Sequence, residues 1–299
     1  MRRLQARPTP PRAGAPERPL SAKGAILAVL ATFLAGQTLG AAGVIVAAVV
    51  ITVASGGRIG WAFHHLDALA ATPGFLVVAG ALAGATLVLS TWLCLRIARV
   101  PFRAGAALRA PRASHVGCAL LLVMAAGPFA DLAVRGFRAA FPGVTLGLLE
   151  QIGDAARAEG PVVVLLFASV SLVPGFAEEI FFRGVVQRSL TGRYGTPIGV
   201  ALASVLFGAF HVDPPQAVGA AVLGAALGFV VWRTKSVWPA VVAHAANNAV
   251  ALFAARAGAD PAADIALAEH LVVLAVSGCV FAAAAWLLVR VTPELEPVA

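Results

Sequence analysis

The chain has 299 residues, of which 60% are apolar and only 12% are charged, and its mean hydropathy is +0.89. Soluble domains carry about 25% charged residues, so the composition excludes an ordinary soluble protein and indicates a polytopic membrane protein. The net charge of +8 has no accompanying patch of aromatic and basic residues, so we expect no nucleic-acid partner. The three cysteines fall in separate apolar segments, which predicts neither disulfides nor a thiolate metal site.

The chain begins with a basic segment that is rich in Arg, Pro and Ala, and residues 1–23 are predicted to be a disordered cytosolic tail. Apolar segments follow, each long enough for a membrane helix, and they predict an all-α bundle of about eight transmembrane helices. The segments cover about 24–54, 75–95, 115–134, 161–189, 196–211, 215–232, 237–255 and 269–290. We divide the rest of the chain into N-terminal helices with their loops (24–160), a core (161–255) and a C-terminal loop, last helix and short tail (256–299).

Basic residues are distributed unevenly between the two sides of this predicted bundle. With the N-terminus inside, sixteen of the 22 cations lie in the tail or in inside loops, five lie outside, and Arg183 lies within a span. Cytoplasmic loops of membrane proteins carry such an excess, so we expect both termini to be cytoplasmic. The richness in Ala, Arg and Gly indicates a bacterial chain, which would lie in the inner (cytoplasmic) membrane.

Few strong polar groups occur at membrane depth in the four spans from 161 to 255. They are Glu178, Glu179, Arg183, His211, His244, Asn247 and Asn248. Glu179 and Arg183 are four residues apart, so they share a helix face and are predicted to pair. Glu178 points about 100° away from Glu179 and is free to face other groups.

Each of these groups also has a purely structural interpretation. A Glu–Arg pair, a single imidazole or a single Asn within a span often only joins helices. Acid, imidazole and amide groups at compatible depths, in a chain that otherwise avoids polar residues, instead favour a functional cavity.

The motifs Glu178-Glu179-x-x-x-Arg183, Phe207-x-x-x-His211 and His244-x-x-x-Asn248 follow one another in this order. Together they resemble the signature of the CAAX-prenyl-endopeptidase and bacteriocin-processing (Abi) family of intramembrane proteases. The resemblance covers about 161–255.

This resemblance implies a role for each matching residue. Glu178 would act with His211 to activate a water for attack on a peptide carbonyl, while His244 and Asn248 would stabilise the oxyanion. Glu179 and Arg183, with Phe207, would support the site. The substrate would be a membrane-associated protein or peptide.

The chemistry of the residues leaves the metal question open. A desolvated glutamate suits a general base, and imidazole and amide donors suit an oxyanion. Glu178, His211 and His244 would equally serve as three ligands of a Zn²⁺ ion with an open water position. No His-Glu-x-x-His occurs, and the three groups come from different helices, so we favour the metal-free mechanism.

Other functions fit the sequence less well. The Gly-x-Ser-Gly nucleophile of rhomboid-like enzymes and the Gly-x-Gly-Asp of presenilin-like enzymes do not occur. The alternative from another class is a non-proteolytic membrane protein on the same fold, either an ion-coupled transporter or an immunity or scaffolding factor. The sequence leaves the oligomeric state open, with a monomer as the default.

Overall fold

The computed structural model describes residues 19–54, 56, 64, 66–144, 147–259 and 266–292. Most of the predicted tail (1–18) and the last seven residues (293–299) lie outside the described residues. Every regular element in the described ranges is a helix. The helices are α1 (Ala22–Ala54), α2 (Leu66–Ala70), α3 (Pro73–Ile97), α4 (Phe102–Gly105), α5 (Ala113–Ala140), α6 (Leu148–Ala156), α7 (Val162–Tyr194), α8 (Thr196–Ala209), α9 (Pro214–Thr234), α10 (Trp238–Arg256) and α11 (Leu267–Val291).

The prediction of a polytopic, all-α membrane bundle is confirmed. Among the described residues, six helices are long and apolar enough to cross a membrane, namely α1, α3, α5, α7, α9 and α11. The other two predicted spans are also helices. Helix α8 is apolar but shorter, and α10 has 19 residues and carries His244, Asn247 and Asn248.

Helices α5 and α7 organise the bundle. Helix α5 packs against α9, α10 and α11, and its side chains form one apolar core with residues of α7 and α9. Helix α7 packs against α1, α3, α8 and α10, and its Phe181 and Phe182 are fully buried in a second core. The polar face of α7 is therefore shielded from lipid by other helices.

Helix α7 is interrupted twice by π-helical turns, at Ala168–Leu172 and at Glu179–Gln187. Pro174 lies between them and has no backbone N–H, so the carbonyl of Val170 lacks its usual partner four residues later. The wider turns of a π-helix change which side chains share a face, and they occur often at functional sites. The two acids lie at the start of the second π-helical turn.

Candidate active site

Glu179 and Arg183 form the predicted ion pair in the interior of the bundle. Nη1 of Arg183 lies 2.9 Å from Oε1 of Glu179, and the side chains are 2% and 0% exposed, respectively. The guanidinium also stacks 4.2 Å from the ring centre of Phe207, and its Nη2 donates to the Gly224 carbonyl at 3.3 Å. A buried ion pair needs such additional partners to offset the loss of hydration.

His244 connects the two glutamates across the α7–α10 interface. Its Nδ1 lies 3.0 Å from the same Glu179 oxygen that pairs with Arg183. A carboxylate ionised by an arginine accepts hydrogen bonds, so Nδ1 carries the proton and donates it. Nε2 of His244 lies 3.9 Å from Oε2 of Glu178, beyond hydrogen-bond length.

Glu178 has fewer close polar contacts than Glu179. Its side chain is 15% exposed, whereas that of Glu179 is fully buried. Its Oε2 is buried and, like Oε2 of Glu179, receives no hydrogen bond from the residues that the structure describes; the two acids differ in Oε1 of Glu179, which has two partners. Glu178 therefore combines a largely desolvated carboxyl with an unoccupied oxygen beside an imidazole.

His211 reaches the cluster through Phe207. Nδ1 of His211 lies 3.0 Å from the Phe207 carbonyl, one turn earlier along the chain. A carbonyl only accepts, so Nδ1 is the donor and Nε2 of the neutral ring is left with its lone pair. The Phe207 ring lies against both imidazoles, with centroids 5.2 Å from His211 and 5.9 Å from His244. His211 is half-buried.

Helices α7 and α10 approach each other closely where these side chains meet. A Cβ added at Gly175 would lie 3.0 Å from Cβ and 3.1 Å from the backbone N of Ala245. Only glycine allows this approach without displacement of α10. The contact holds His244, the neighbour of Ala245, within reach of both glutamates.

Asn248 is directed to the backbone of α7. Its Nδ2 donates to the Val170 carbonyl at 3.2 Å, and this is the carbonyl that Pro174 leaves without its helical partner. The Oδ1 of Asn248 accepts from Nδ2 of Asn247 at 3.4 Å. Asn248 thus has one amide hydrogen committed to holding the interrupted helix and a second that this bond does not use.

Gln187 is a residue of this network that the sequence analysis missed. It is buried one turn beyond Arg183, and its Nε2 donates to the Gly228 carbonyl at 3.0 Å. Glu179, Arg183 and Gln187 are spaced by four and form a polar row on α7. Arg183 and Gln187 bond to the carbonyls of Gly224 and Gly228 in α9, and a Cβ added at Gly228 would lie 2.6 Å from Oε1 of Gln187. The four-residue spacing and the Gly-x-x-x-Gly pattern were the available signals in the sequence.

The predicted site residues thus lie in one region of the bundle, but not all of them contact one another. Glu178, Glu179, Arg183, Phe207 and His244 form a continuous cluster, His211 joins it through Phe207, and Asn248 lies one turn further along α10. Within the described part of the chain, no three His, Cys, Asp or Glu side chains are grouped closely enough to hold a metal ion. The hypothetical Zn²⁺ set of Glu178, His211 and His244 is not assembled in this conformation.

Comparison with known families identifies one match. Residues 160–250 match the family model described as type II CAAX prenyl endopeptidase Rce1-like. The matched range contains all seven predicted site residues and confirms the family resemblance that their motifs indicated. Neither a search of curated proteins nor one of solved structures gave a significant match.

Proposed function

Because residues 160–250 match the Rce1-like model of the CAAX-type membrane proteases, we propose that this chain is an intramembrane endopeptidase that hydrolyses a peptide bond of a membrane-associated protein or peptide. One observation carries the proposal. Two adjacent buried acids have different partners, since Oε1 of Glu179 pairs with both Arg183 and His244 while the Glu178 carboxylate lies 3.9 Å from Nε2 of His244. A second acid that the ion pair with Arg183 does not require is rare in a membrane helix, and a chemical role would explain it.

In the proposed mechanism, Glu178 and His211 activate the attacking water. The water oxygen bonds to the carbonyl carbon of the scissile peptide, and its proton passes to Glu178 or to Nε2 of His211. The tetrahedral intermediate then collapses as the C–N bond breaks. The proton is returned to the leaving nitrogen, so that one peptide and one water become a carboxylic acid and an amine.

His244 and Asn248 would stabilise the developing oxyanion. This role requires a proton on Nε2 of His244, because its Nδ1–H is already donated to Glu179. Asn248 would contribute the amide hydrogen that is not bonded to Val170.

The proposed mechanism includes no Zn²⁺ ion, because Glu178, His211 and His244 do not lie close enough together to bind one. No step above requires a metal, and we expect activity to survive chelators. Stoichiometric Zn²⁺ in active protein, with activity lost on its removal and restored on its return, would contradict this view.

The orientation belongs to the same proposal. The excess of cations in the tail and the inside loops supports cytoplasmic termini in a bacterial inner membrane. The substrate would then reach the polar cluster of α7, α8 and α10 from within the bilayer.

A comparison of protein termini in cells tests the function without a known substrate. Strains would carry the wild-type chain, Glu178→Gln, or the control Glu150→Gln, which changes an exposed acid of α6 outside the cluster. We expect one or a few membrane proteins to have a new terminus in the wild-type and control strains only. Identical termini in all three strains would favour the non-proteolytic alternative.

A further inference from the structure

The outward face of α3 changes from apolar to basic along its length. Ala85, Val88, Leu89, Trp92 and Arg96 recur at helical spacing on this face, and Arg99 lies in the turn that follows α3. Trp92 and Leu89 are largely exposed on the outside of the bundle, as are both arginines. In a membrane, this face meets lipid first and the water interface second.

The face is hollowed by two adjoining cavities. An apolar cavity of about 500 Å³ is lined by Ala85, Val88, Leu89, Trp92 and Phe102. A second cavity of about 370 Å³ lies beyond it, and its lining includes Arg96 and Arg99. Trp92 and Phe102 line both cavities, so together they form one groove, which we call the α3 groove.

The turn after α3 builds the closed end of the α3 groove. Arg99 adopts a left-handed conformation with φ of 57°, and the N–H of Val100 bonds back to the Leu95 carbonyl at 2.9 Å. Pro101 is the N-cap of α4, and Phe102, the first residue of that helix, lines both cavities together with Trp92. Non-glycine residues seldom adopt φ near +57°, so the turn holds Arg99 at some cost in strain.

The length of the groove matches one leaflet. Ala85 and Arg96 are eleven residues apart, which corresponds to about 17 Å along a helix, while half of a hydrocarbon core measures about 15 Å. An acyl chain beside Ala85–Trp92 would therefore end at the level of the arginines. The charged residues around the groove are also all positive, because residues 71–112 contain five arginines and no acid.

We propose that the α3 groove binds one anionic phospholipid of the surrounding membrane. Its acyl chain lies against Val88, Leu89 and Trp92, and its phosphate pairs with Arg96 and Arg99. Arginine suits this role because its planar fork donates two parallel hydrogen bonds to a phosphate. Clusters of basic residues at the membrane surface favour anionic lipids in general, and the groove adds a site for one chain.

The lipid would also support the fold around the candidate active site. The segment that follows the groove packs on α7 at Gly184, where an added Cβ would lie 2.9 Å from Cα of Ala106. Gly184 is the neighbour of Arg183. A bound lipid would therefore steady the turn that packs on α7 at the residue next to Arg183.

Native mass spectrometry of the purified full chain tests the site. Phosphatidylglycerol is compared with phosphatidylcholine of the same acyl chains, and soluble glycerol phosphate serves as a headgroup without chains. We expect one phosphatidylglycerol to bind, with a weaker response to phosphatidylcholine and to glycerol phosphate. Equal binding of the two lipids, or equal binding of glycerol phosphate, would overturn the proposal.

Substitutions of the arginines test whether the lipid binds in the α3 groove. Arg96→Gln and Arg99→Gln should each weaken phosphatidylglycerol binding about fivefold, since an interfacial cation contributes about that factor. Arg103→Gln is the matched control, because it removes an exposed cation of α4 that lines neither cavity. Arg96→Lys with Arg99→Lys should retain part of the affinity and shows whether a folding defect explains the loss. A double Gln variant that is folded and binds as the wild type does would overturn the assignment to these arginines.

Discussion

His244 donates a hydrogen bond from Nδ1 to Oε1 of Glu179 at 3.0 Å, the same oxygen that lies 2.9 Å from Nη1 of Arg183. One carboxylate oxygen therefore joins α7 to α10. This relationship separates the two adjacent acids. Oε1 of Glu179 is held by two partners, so in the proposed function Glu179 is the structural group, while Glu178 lies beside Nε2 of His244.

The first prediction concerns the ion pair of Glu179 and Arg183. Glu179→Gln leaves a buried guanidinium without its counter-charge and is expected to lower the free energy of unfolding by about 3–5 kcal/mol. Adding Arg183→Met should recover much of this loss, because the unpaired charge is removed. The measurement is denaturation of the purified chain in mixed micelles. Glu178→Gln serves as the control and should change stability little; a Glu179→Gln variant as stable as that control would contradict the structural role.

The second prediction concerns the close contact of α7 with α10. Gly175→Ala places a methyl group against Ala245 and is expected to destabilise the protein by about 1–3 kcal/mol through overpacking. It should also displace His244 and reduce peptide cleavage. Gly117→Ala in α5 is the matched control, since an added Cβ there meets nothing within 4 Å. Equal stability and activity of the two variants would show that the interface tolerates the extra volume.

The third prediction concerns Asn248 and the interruption at Pro174. Asn248→Ala leaves the Val170 carbonyl without its side-chain donor and should cost about 1–3 kcal/mol. In a Pro174→Ala background the backbone N–H of residue 174 becomes available, so the same change at Asn248 should cost less.

A double-mutant cycle on thermal stability measures this coupling. If Asn248 also contributes to the oxyanion site, Pro174→Ala restores stability to the Asn248→Ala protein without restoring its activity. Strictly additive stability losses would mean that Asn248 does not substitute for the missing helical bond.

The fourth prediction concerns the contribution of Lys235 to thermal stability. Burial and the nearby Arg233, Arg109 and Arg188 lower the pKa of Lys235, and its backbone is left-handed with φ of 54°. A lowered pKa means that the charged form disfavours the folded state, and this penalty disappears as the pH rises through the folded-state pKa. Lys235→Gln removes only the charge, whereas Lys235→Gly also relieves the backbone by about 1 kcal/mol.

Melting temperatures in detergent should therefore rise from the wild type to Lys235→Gln to Lys235→Gly at neutral pH. At alkaline pH the wild type should approach Lys235→Gln, while the advantage of Lys235→Gly persists. A wild type that is the most stable of the three at neutral pH would contradict this account.

Hydropathy and spacing predicted the helices and most of the polar cluster. A membrane helix must satisfy its backbone internally, so long apolar segments leave few alternatives to a helix. The pairing of Glu179 with Arg183 follows from their four-residue spacing, and the structure shows it. The predicted span 196–211 ends close to the end of α8 at Ala209, and Asp213 caps the next helix, α9, by accepting from the N–H of Gln216.

Other features could not be predicted because they depend on backbone acceptors and on helix period. The π-helical turns of α7 have no signature in composition, although they decide which side chains share its face. The carbonyls of Val170, Gly224 and Gly228 are invisible in a sequence, and they determine where Asn248, Arg183 and Gln187 are held. The bond from His244 to Glu179 depends on the approach at Gly175, which involves a residue far away in the chain.

Cleavage of a substrate identified by the terminus comparison tests the central claim most directly. The purified wild type, Glu178→Gln, His211→Ala and the control Glu150→Gln are reconstituted in equal amounts, and product is quantified by mass spectrometry. We predict cleavage by the wild type and the control, and a loss of at least about 100-fold in the folded Glu178→Gln and His211→Ala proteins, the usual contribution of a general base. Cleavage at the wild-type rate by both of these variants would contradict the claim that Glu178 and His211 activate the water.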